Sequence, residues 1–229
     1  MSTVLITGGG GGLGLACARR FAQAGWSCLL VDRAFGNDAA TVGTCVEADV
    51  RDRARADRIV SEAGPIAALV TCAGISRDAT IDRMDDAAWR DVIEVDLTGT
   101  FNYLAACAAG FKRQRSGKVV LVASTQALRA RRGLSNYAAA KAGVIGLAKA
   151  AARDLGRHGV NVNAVAPGLV ETPLTRDVPS DIKERLREDT CLGRLATPAD
   201  VAGVIFFLCS EEARHVTGEV VRVDGGQLA

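Results

Sequence analysis

Val4-Leu5-Ile6-Thr7 runs without a break into Gly8-Gly9-Gly10-Gly11-Gly12-Leu13-Gly14, and an Ala-rich segment follows from Leu15. Four residues of mostly β-branched and aliphatic character, then glycines, then helix-forming residues, read as strand, tight turn and helix. Glycines at such a turn let the backbone bend sharply and come close to a pyrophosphate, which then rests on the helix N-terminus. The alternative is a flexible glycine tract, and five consecutive glycines leave the register open.

Outward from that stretch the same alternation continues. Short apolar runs at Thr3–Thr7, Ser27–Asp32, Thr44–Ala48, Ala67–Thr71, Lys118–Ser124, Val160–Ala166 and Glu219–Val223 read as strands. Between them, helical segments are expected over about 13–24, 51–62, 85–112, 135–157 and 198–210, with a helix-like Ser180–Asp189 in the polar stretch Thr172–Arg194. Strands apolar on both faces and separated by helices predict an α/β fold. It is a single-domain, doubly wound parallel sheet of Rossmann type with helices on both faces. No linker, repeat or low-complexity tract divides residues 1–229. The nucleotide-binding half is expected mainly in 1–112 and the catalytic and substrate half in 113–229. Ligands of such sheets bind beyond the C-terminal strand ends, and the residues singled out below all fall there.

Asp32 closes the second strand, eighteen residues after Gly14. An acid there accepts hydrogen bonds from an adenosine ribose and repels a 2′-phosphate, although a turn or helix-cap aspartate would look the same. Arg33 follows it and could accommodate that phosphate, so NAD is favoured over NADP without being secured. Asp49 and Val50, after the third strand, could meet an adenine ring, or Asp49 could cap the helix beginning near Arg51.

Tyr137-Ala-Ala-Ala-Lys141 places a phenol and an ammonium four residues apart, on one face of a helix. A free tyrosine has a pKa of about 10. A neighbouring cation favours the phenolate, which lowers that value and makes proton exchange with an alcohol feasible. Ser124, thirteen residues before the tyrosine at the end of Val119–Ala123, could hold a substrate oxygen against it.

Composition removes other classes. The chain has 229 residues, 48% hydrophobic and 24% charged, with net charge +2. Nothing in that balance suggests nucleic acid or a membrane surface as a partner. Seven scattered cysteines without a C-x-x-C pattern, and two histidines, argue for free thiols in a reducing compartment and against a metal site. No apolar run approaches the ~18 residues of a membrane span. A cytoplasmic protein is expected.

Together these residues resemble the short-chain dehydrogenase/reductase family over essentially the whole chain. Thr7-Gly8-x-x-x-Gly12-Leu13-Gly14 is similar to its glycine motif, and Ser124, Tyr137 and Lys141 match its catalytic residues in spacing. Pro167-Gly168-Leu169-Val170-Glu171-Thr172 resembles the segment that meets the nicotinamide carboxamide, and Asp224-Gly225-Gly226 the usual C-terminal ending. The resemblance implies that Tyr137 is the general acid/base and that Lys141 tunes it while holding the nicotinamide ribose. Ser124 would orient the substrate oxygen, with hydride passing directly between substrate carbon and nicotinamide.

Two positions depart from the family pattern. Thr71-Cys72-Ala73-Gly74 stands where Asn-Asn-Ala-Gly is usual; the backbone contacts of Cys72, Ala73 and Gly74 with cofactor survive such a change, but the first asparagine's hydrogen bonds do not fully. Asp96, in Val95-Asp96-Leu97-Thr98-Gly99, stands where an asparagine is thought to hold a water next to the lysine. An aspartate can bind that water but adds a negative charge; the plain alternative is an acid on a helix surface.

Within the family, Gly74–Asp78 and Trp89–Asn102 look most like 3-oxoacyl thioester reductases and 3-hydroxyacyl thioester dehydrogenases. An NAD-directing Asp32 tilts this toward oxidation of a hydroxyacyl group on CoA or an acyl carrier. A simple cyclic, aromatic or steroid alcohol, or a non-catalytic nucleotide-binding subunit, are the rivals. Gln126, Arg129, Arg131 and Arg132, between Ser124 and Tyr137, are candidates to hold substrate, the arginines through an anionic group. A solvated loop or subunit contact explains the arginines equally. Arg115, Arg157 and His158 form a second basic rim. Small residues on segments 85–112 and 135–157, including Gly143, suit close helix approach, and the resemblance implies a homotetramer.

Overall fold

The computed structural model describes residues 2–229. Seven strands form one parallel sheet: β1 Thr3–Thr7, β2 Ser27–Asp32, β3 Thr44–Glu47, β4 Ala68–Thr71, β5 Gly117–Val122, β6 Val160–Pro167 and β7 Val220–Val223. Their order is β3-β2-β1-β4-β5-β6-β7. The chain moves one way across the sheet from β1 to β3 and then returns to place β4 on the other side of β1. That reversal opens a crevice at the C-terminal ends of β1 and β4.

The alternation of side chains explains why these strands are apolar throughout. Leu5, Leu69, Leu121 and Val162 point to one face of the sheet, into a core shared with Tyr103, Phe111, Val144 and Leu155. Val4, Ile6, Val70, Val120 and Val165 point to the other, against Phe21, Val201, Ile205 and Leu208. Both faces therefore need helices. The first layer comprises α2 (Arg53–Glu62), α4 (Gly99–Gln114) and α5 (Ser135–Gly156); α1 (Gly12–Gln23) and α7 (Pro198–Cys209) form the second. The Phe21 and Phe206 rings meet edge to face at 5.2 Å, locking α1 to α7.

Most sequence-derived boundaries agree within two residues, and the differences have physical causes. Strand β5 stops at Val122, so Ser124 lies beyond the ladder, extended at φ −164° and ψ 156°, where its side chain caps a short turn over Thr125–Ala127. Helix α2 begins at Arg53, not Arg51. Its cap is Asp52, which accepts from the Arg55 amide at 2.8 Å, so Asp49 is not the cap. The expected helix 85–112 is a composite: α3 (Asp86–Val92), a π-helical turn Ile93–Thr98, then α4. Such a wide turn inserts a residue into the helical path and is frequent at functional sites. Here it carries Asp96 inward. The stretch Ser180–Glu188 forms the predicted short helix, α6. No helix among the described residues is long and apolar enough to cross a membrane.

Candidate active site

The glycine turn is shaped by its neighbours. Gly8 has φ +70°, and a Cβ on it would lie 2.7 Å from the Ala73 amide nitrogen at the end of β4. On Gly14 a Cβ would lie 2.0 Å from the Gly8 carbonyl oxygen. Neither position admits a side chain. The Cys72 amide donates to the Thr7 carbonyl at 3.0 Å, joining the ends of β1 and β4. Gly11 caps α1 without a side chain to bond the first-turn amides, and nothing lies within 4 Å of its Cβ position. Unpartnered amides at a helix N-terminus, facing open space, fit a pyrophosphate.

That space is one cleft of about 300 Å³. Gly8, Gly12, Leu13 and Gly14 line it, with Asp32 and Arg33 after β2, Asp49 and Val50 after β3, and Cys72, Ala73 and Gly74 after β4. Pro167, Gly168, Val170 and Thr172 close it from β6, and Ser124, Tyr137 and Lys141 stand at its catalytic end. All the residues expected to meet cofactor thus share one wall system. Asp32 is more than a turn residue: its Oδ2 accepts from the Gly10 amide at 2.9 Å and its Oδ1 from the Arg33 amide at 2.7 Å. The Asp49 carboxylate is held below its usual range by hydrogen bonds from the Arg51 side chain, at 2.7 Å. The chemistry of this trough, from acid to glycine turn to phenol, fits a dinucleotide.

At the catalytic end, Lys141 and Asp96 are both buried, Asp96 completely. Lys141 Nζ donates to the Val122 carbonyl at 3.0 Å and lies 3.2 Å from Asp96 Oδ2. Asp96 Oδ1 accepts from the Ile75 amide at 2.8 Å. The helix-surface reading of Asp96 is therefore wrong; the π-helical turn points it into the protein. Lys141 Nζ sits 5.6 Å from the centre of the Tyr137 ring, as the four-residue spacing predicts. Ser124 Oγ accepts from the Gln126 amide at 3.2 Å, leaving its proton free to donate into the cleft.

The net direction of the Tyr137 pKa differs from the sequence expectation. Burial pushes it up; Lys141 pulls it down as predicted, but Asp96 pushes it up again, and the phenol ends above its ordinary value. Burial also acts to lower Lys141, yet Asp96 and Tyr137 outweigh it, and the ammonium ends above the usual lysine range. Asp96 is raised chiefly by burial, against the pull of Lys141.

The substrate candidates of the 125–136 loop are absent from the cleft wall. Gln126 Oε1 accepts from the Arg131 amide at 2.9 Å, so it braces its own loop. Arg129 pairs with Asp189 just beyond α6 at 3.7 Å, and Arg132 is exposed. Sequence reasoning missed Asn136. Fully buried next to the tyrosine, it donates to the carbonyls of Arg77 at 2.9 Å and Ala88 at 3.1 Å. A buried amide beside the key residue of a helix's first turn was the available signal. Ile75 and Leu174, which also line the cleft, were missed because nothing marks single apolar residues in loops.

Comparison with known proteins finds relatives along nearly the whole chain. The family model described as enoyl-(acyl carrier protein) reductase matches residues 9–227. The 3-oxoacyl-(acyl-carrier-protein) reductase MabA of Mycobacterium bovis is 38% identical over 228 residues, 98% of this chain and 92% of that protein. The 3-oxoacyl-(acyl-carrier-protein) reductase FabG of Thermotoga maritima is 38% identical over 235 residues, covering 97% and 96%. Among solved structures, a levodione reductase superposes with a TM-score of 0.93 at 32% identity, over 99% of this chain and 97% of that one.

Proposed function

The chain belongs to the short-chain dehydrogenase/reductase family, and from that premise we propose an NAD(H)-dependent oxidoreductase that interconverts a secondary alcohol and a ketone. The observation that carries this reading is the meeting of Ser124, Tyr137 and Lys141 with the glycine turn in a single cleft.

A nicotinamide dinucleotide bound along the trough would supply or accept the hydride. Glycine-turn amides and the α1 N-terminus would hold its phosphates, and Asp32 its adenosine ribose. Ser124 donates to the substrate oxygen and fixes it near the phenol, so the reacting carbon is held at the cofactor end of the cleft. In reduction, the Tyr137 phenol gives its proton to that oxygen; in oxidation, its phenolate takes the alcohol proton. Lys141, held by Asp96 and the Val122 carbonyl, stands beside the phenol that exchanges the proton. A phenol is protonated at neutral pH, the form that reduction uses.

The preference for NAD over NADP rests on Asp32. Its carboxylate lines the cleft and is oriented by the Gly10 and Arg33 amides, where a 2′-phosphate would meet negative charge. The substrate class we propose is a 3-hydroxyacyl or 3-oxoacyl thioester, on CoA or an acyl carrier. Its support is the likeness to the MabA and FabG reductases along nearly their whole length. The equally complete likeness to a levodione reductase favours a second reading, a small cyclic ketone. Turnover of a 3-oxoacyl-CoA and of a cyclic diketone with NADH, measured side by side, separates the two.

A homotetramer remains our proposal, supported by the exposed Phe101 of α4 and by the exposed Ala109 and Ala139. Gly143 does not serve it: a Cβ there would lie 2.8 Å from Leu97 of the same chain.

A further inference from the structure

Asp96 joins three parts of the site. It leaves the π-helical turn, binds the Ile75 amide of the cleft wall at 2.8 Å, and reaches the Lys141 ammonium of α5 at 3.2 Å. Backbone packs closely on the pair: a Cβ on Gly74 would lie 2.9 Å from Asp96 Oδ2 and 3.4 Å from Lys141 Nζ. With both side chains buried, the two charges act on their surroundings more strongly than they would in water.

Resting on the proposed role of Tyr137, we propose that Asp96 is a positioning residue whose buried pairing with Lys141 holds the ammonium in place and sets the pH at which Tyr137 exchanges its proton. A lone lysine cation would favour the phenolate strongly. Paired with Asp96, it presents the phenol with a nearly neutral couple, and the penalty of burial dominates. The groups facing Tyr137 are few: Lys141 from its own helix, Asp96 from the π-helical turn, Ser124 from beyond β5, and Asp78 from the segment after β4. Cys72 is the remaining titratable neighbour of Lys141. Only Asp96 adds a buried negative charge in contact with the lysine.

The protein makes this measurable without turnover, because it has two tyrosines. The second, Tyr103, is buried in the core with its pKa pushed far up by burial, and comparison with Tyr137→Phe shows which ionisation belongs to Tyr137. Tyrosinate absorbance is followed against pH in the cofactor-free wild type and in Asp96→Asn, which keeps an oxygen for the Ile75 amide and removes the charge. The step missing from Tyr137→Phe is that of Tyr137. In Asp96→Asn this ionisation should move to lower pH by about one unit, the scale expected for a nearby charge. An unchanged midpoint would overturn the proposal, since a merely structural Asp96 has no reason to move it in that direction. If Asp96→Asn does not fold, Asp96→Ser, which also removes the charge and leaves Lys141 in place, is titrated instead. Its Tyr137 ionisation should likewise fall to lower pH, and an unchanged midpoint would again overturn the proposal. The absorbance reading decides the matter whether or not the protein reduces a thioester.

Discussion

Asp32 Oδ2 accepts a hydrogen bond from the Gly10 amide at 2.9 Å, so the acid that ends β2 and the glycine turn that follows β1 form one unit. A Cβ on Gly10 would lie 2.3 Å from the Ala34 carbonyl oxygen and 3.0 Å from Asp32 Oδ2, so only glycine fits between them. The residue proposed to choose the cofactor also orders the loop that holds its phosphates.

Two substitutions separate these roles. Asp32→Asn keeps an acceptor for Gly10 and removes the charge; it should narrow the preference for NADH over NADPH by about tenfold or more in kcat/KM, the worth of one charged hydrogen bond. Asp32→Ala should narrow it similarly and also weaken binding of both cofactors, because the loop loses its anchor. Binding titrations with both dinucleotides check this; equal behaviour of the two variants would deny Asp32 the ordering role.

Tyr137→Phe should leave NAD(H) affinity nearly unchanged and lower turnover by about 10²–10⁴-fold, the usual worth of a positioned acid/base. The raised phenol pKa fixes the sign of the wild-type pH dependence. Reduction needs the protonated phenol, present at neutral pH and lost as pH rises through that raised value; oxidation needs the phenolate and should speed up over the same interval. Steady-state profiles in both directions test this, and a flat oxidative profile into the alkaline range would count against a phenolate base.

Lys141→Ala should destabilise the fold as well as slow the reaction. It leaves Asp96 buried and unpaired, a change that costs about 3–5 kcal/mol. Denaturant unfolding of Lys141→Ala against Asp96→Asn/Lys141→Met measures it, and the double variant should be the more stable, since neither charge is stranded.

Asn136 ties the first turn of α5 to the segment preceding it in the site through two backbone carbonyls. Asn136→Ala strands those carbonyls and should cost about 1–3 kcal/mol. Because Tyr137 is its neighbour, kcat should fall more than cofactor affinity. Equal losses in both would indicate general damage to the fold.

The sheet was legible because its strands are buried on both faces, so runs such as Val4–Thr7 and Val119–Ala123 stand out against Ala-rich helices. Spacing alone put Tyr137 and Lys141 on one helical face, and the family motifs around them, not spacing, singled out Ser124 and Asp96. Helical periodicity could not turn Asp96 inward: it assumes a constant 3.6 residues per turn, and the π-helical turn at Ile93–Thr98 breaks it where the carboxylate turns inward. The arginine loop was legible only in part: Arg129 looks free in sequence but meets Asp189, sixty residues along the chain, and no local pattern reports such a contact.

Cofactor oxidation with a short 3-oxoacyl-CoA, followed with NADH and NADPH at equal concentration in the wild type and in Tyr137→Phe, tests the proposed function most directly. Wild type should consume NADH in preference to NADPH and form the 3-hydroxyacyl product, while Tyr137→Phe should bind NADH and form almost none. Preferential use of NADPH, or comparable rates in wild type and Tyr137→Phe, would contradict the proposed function.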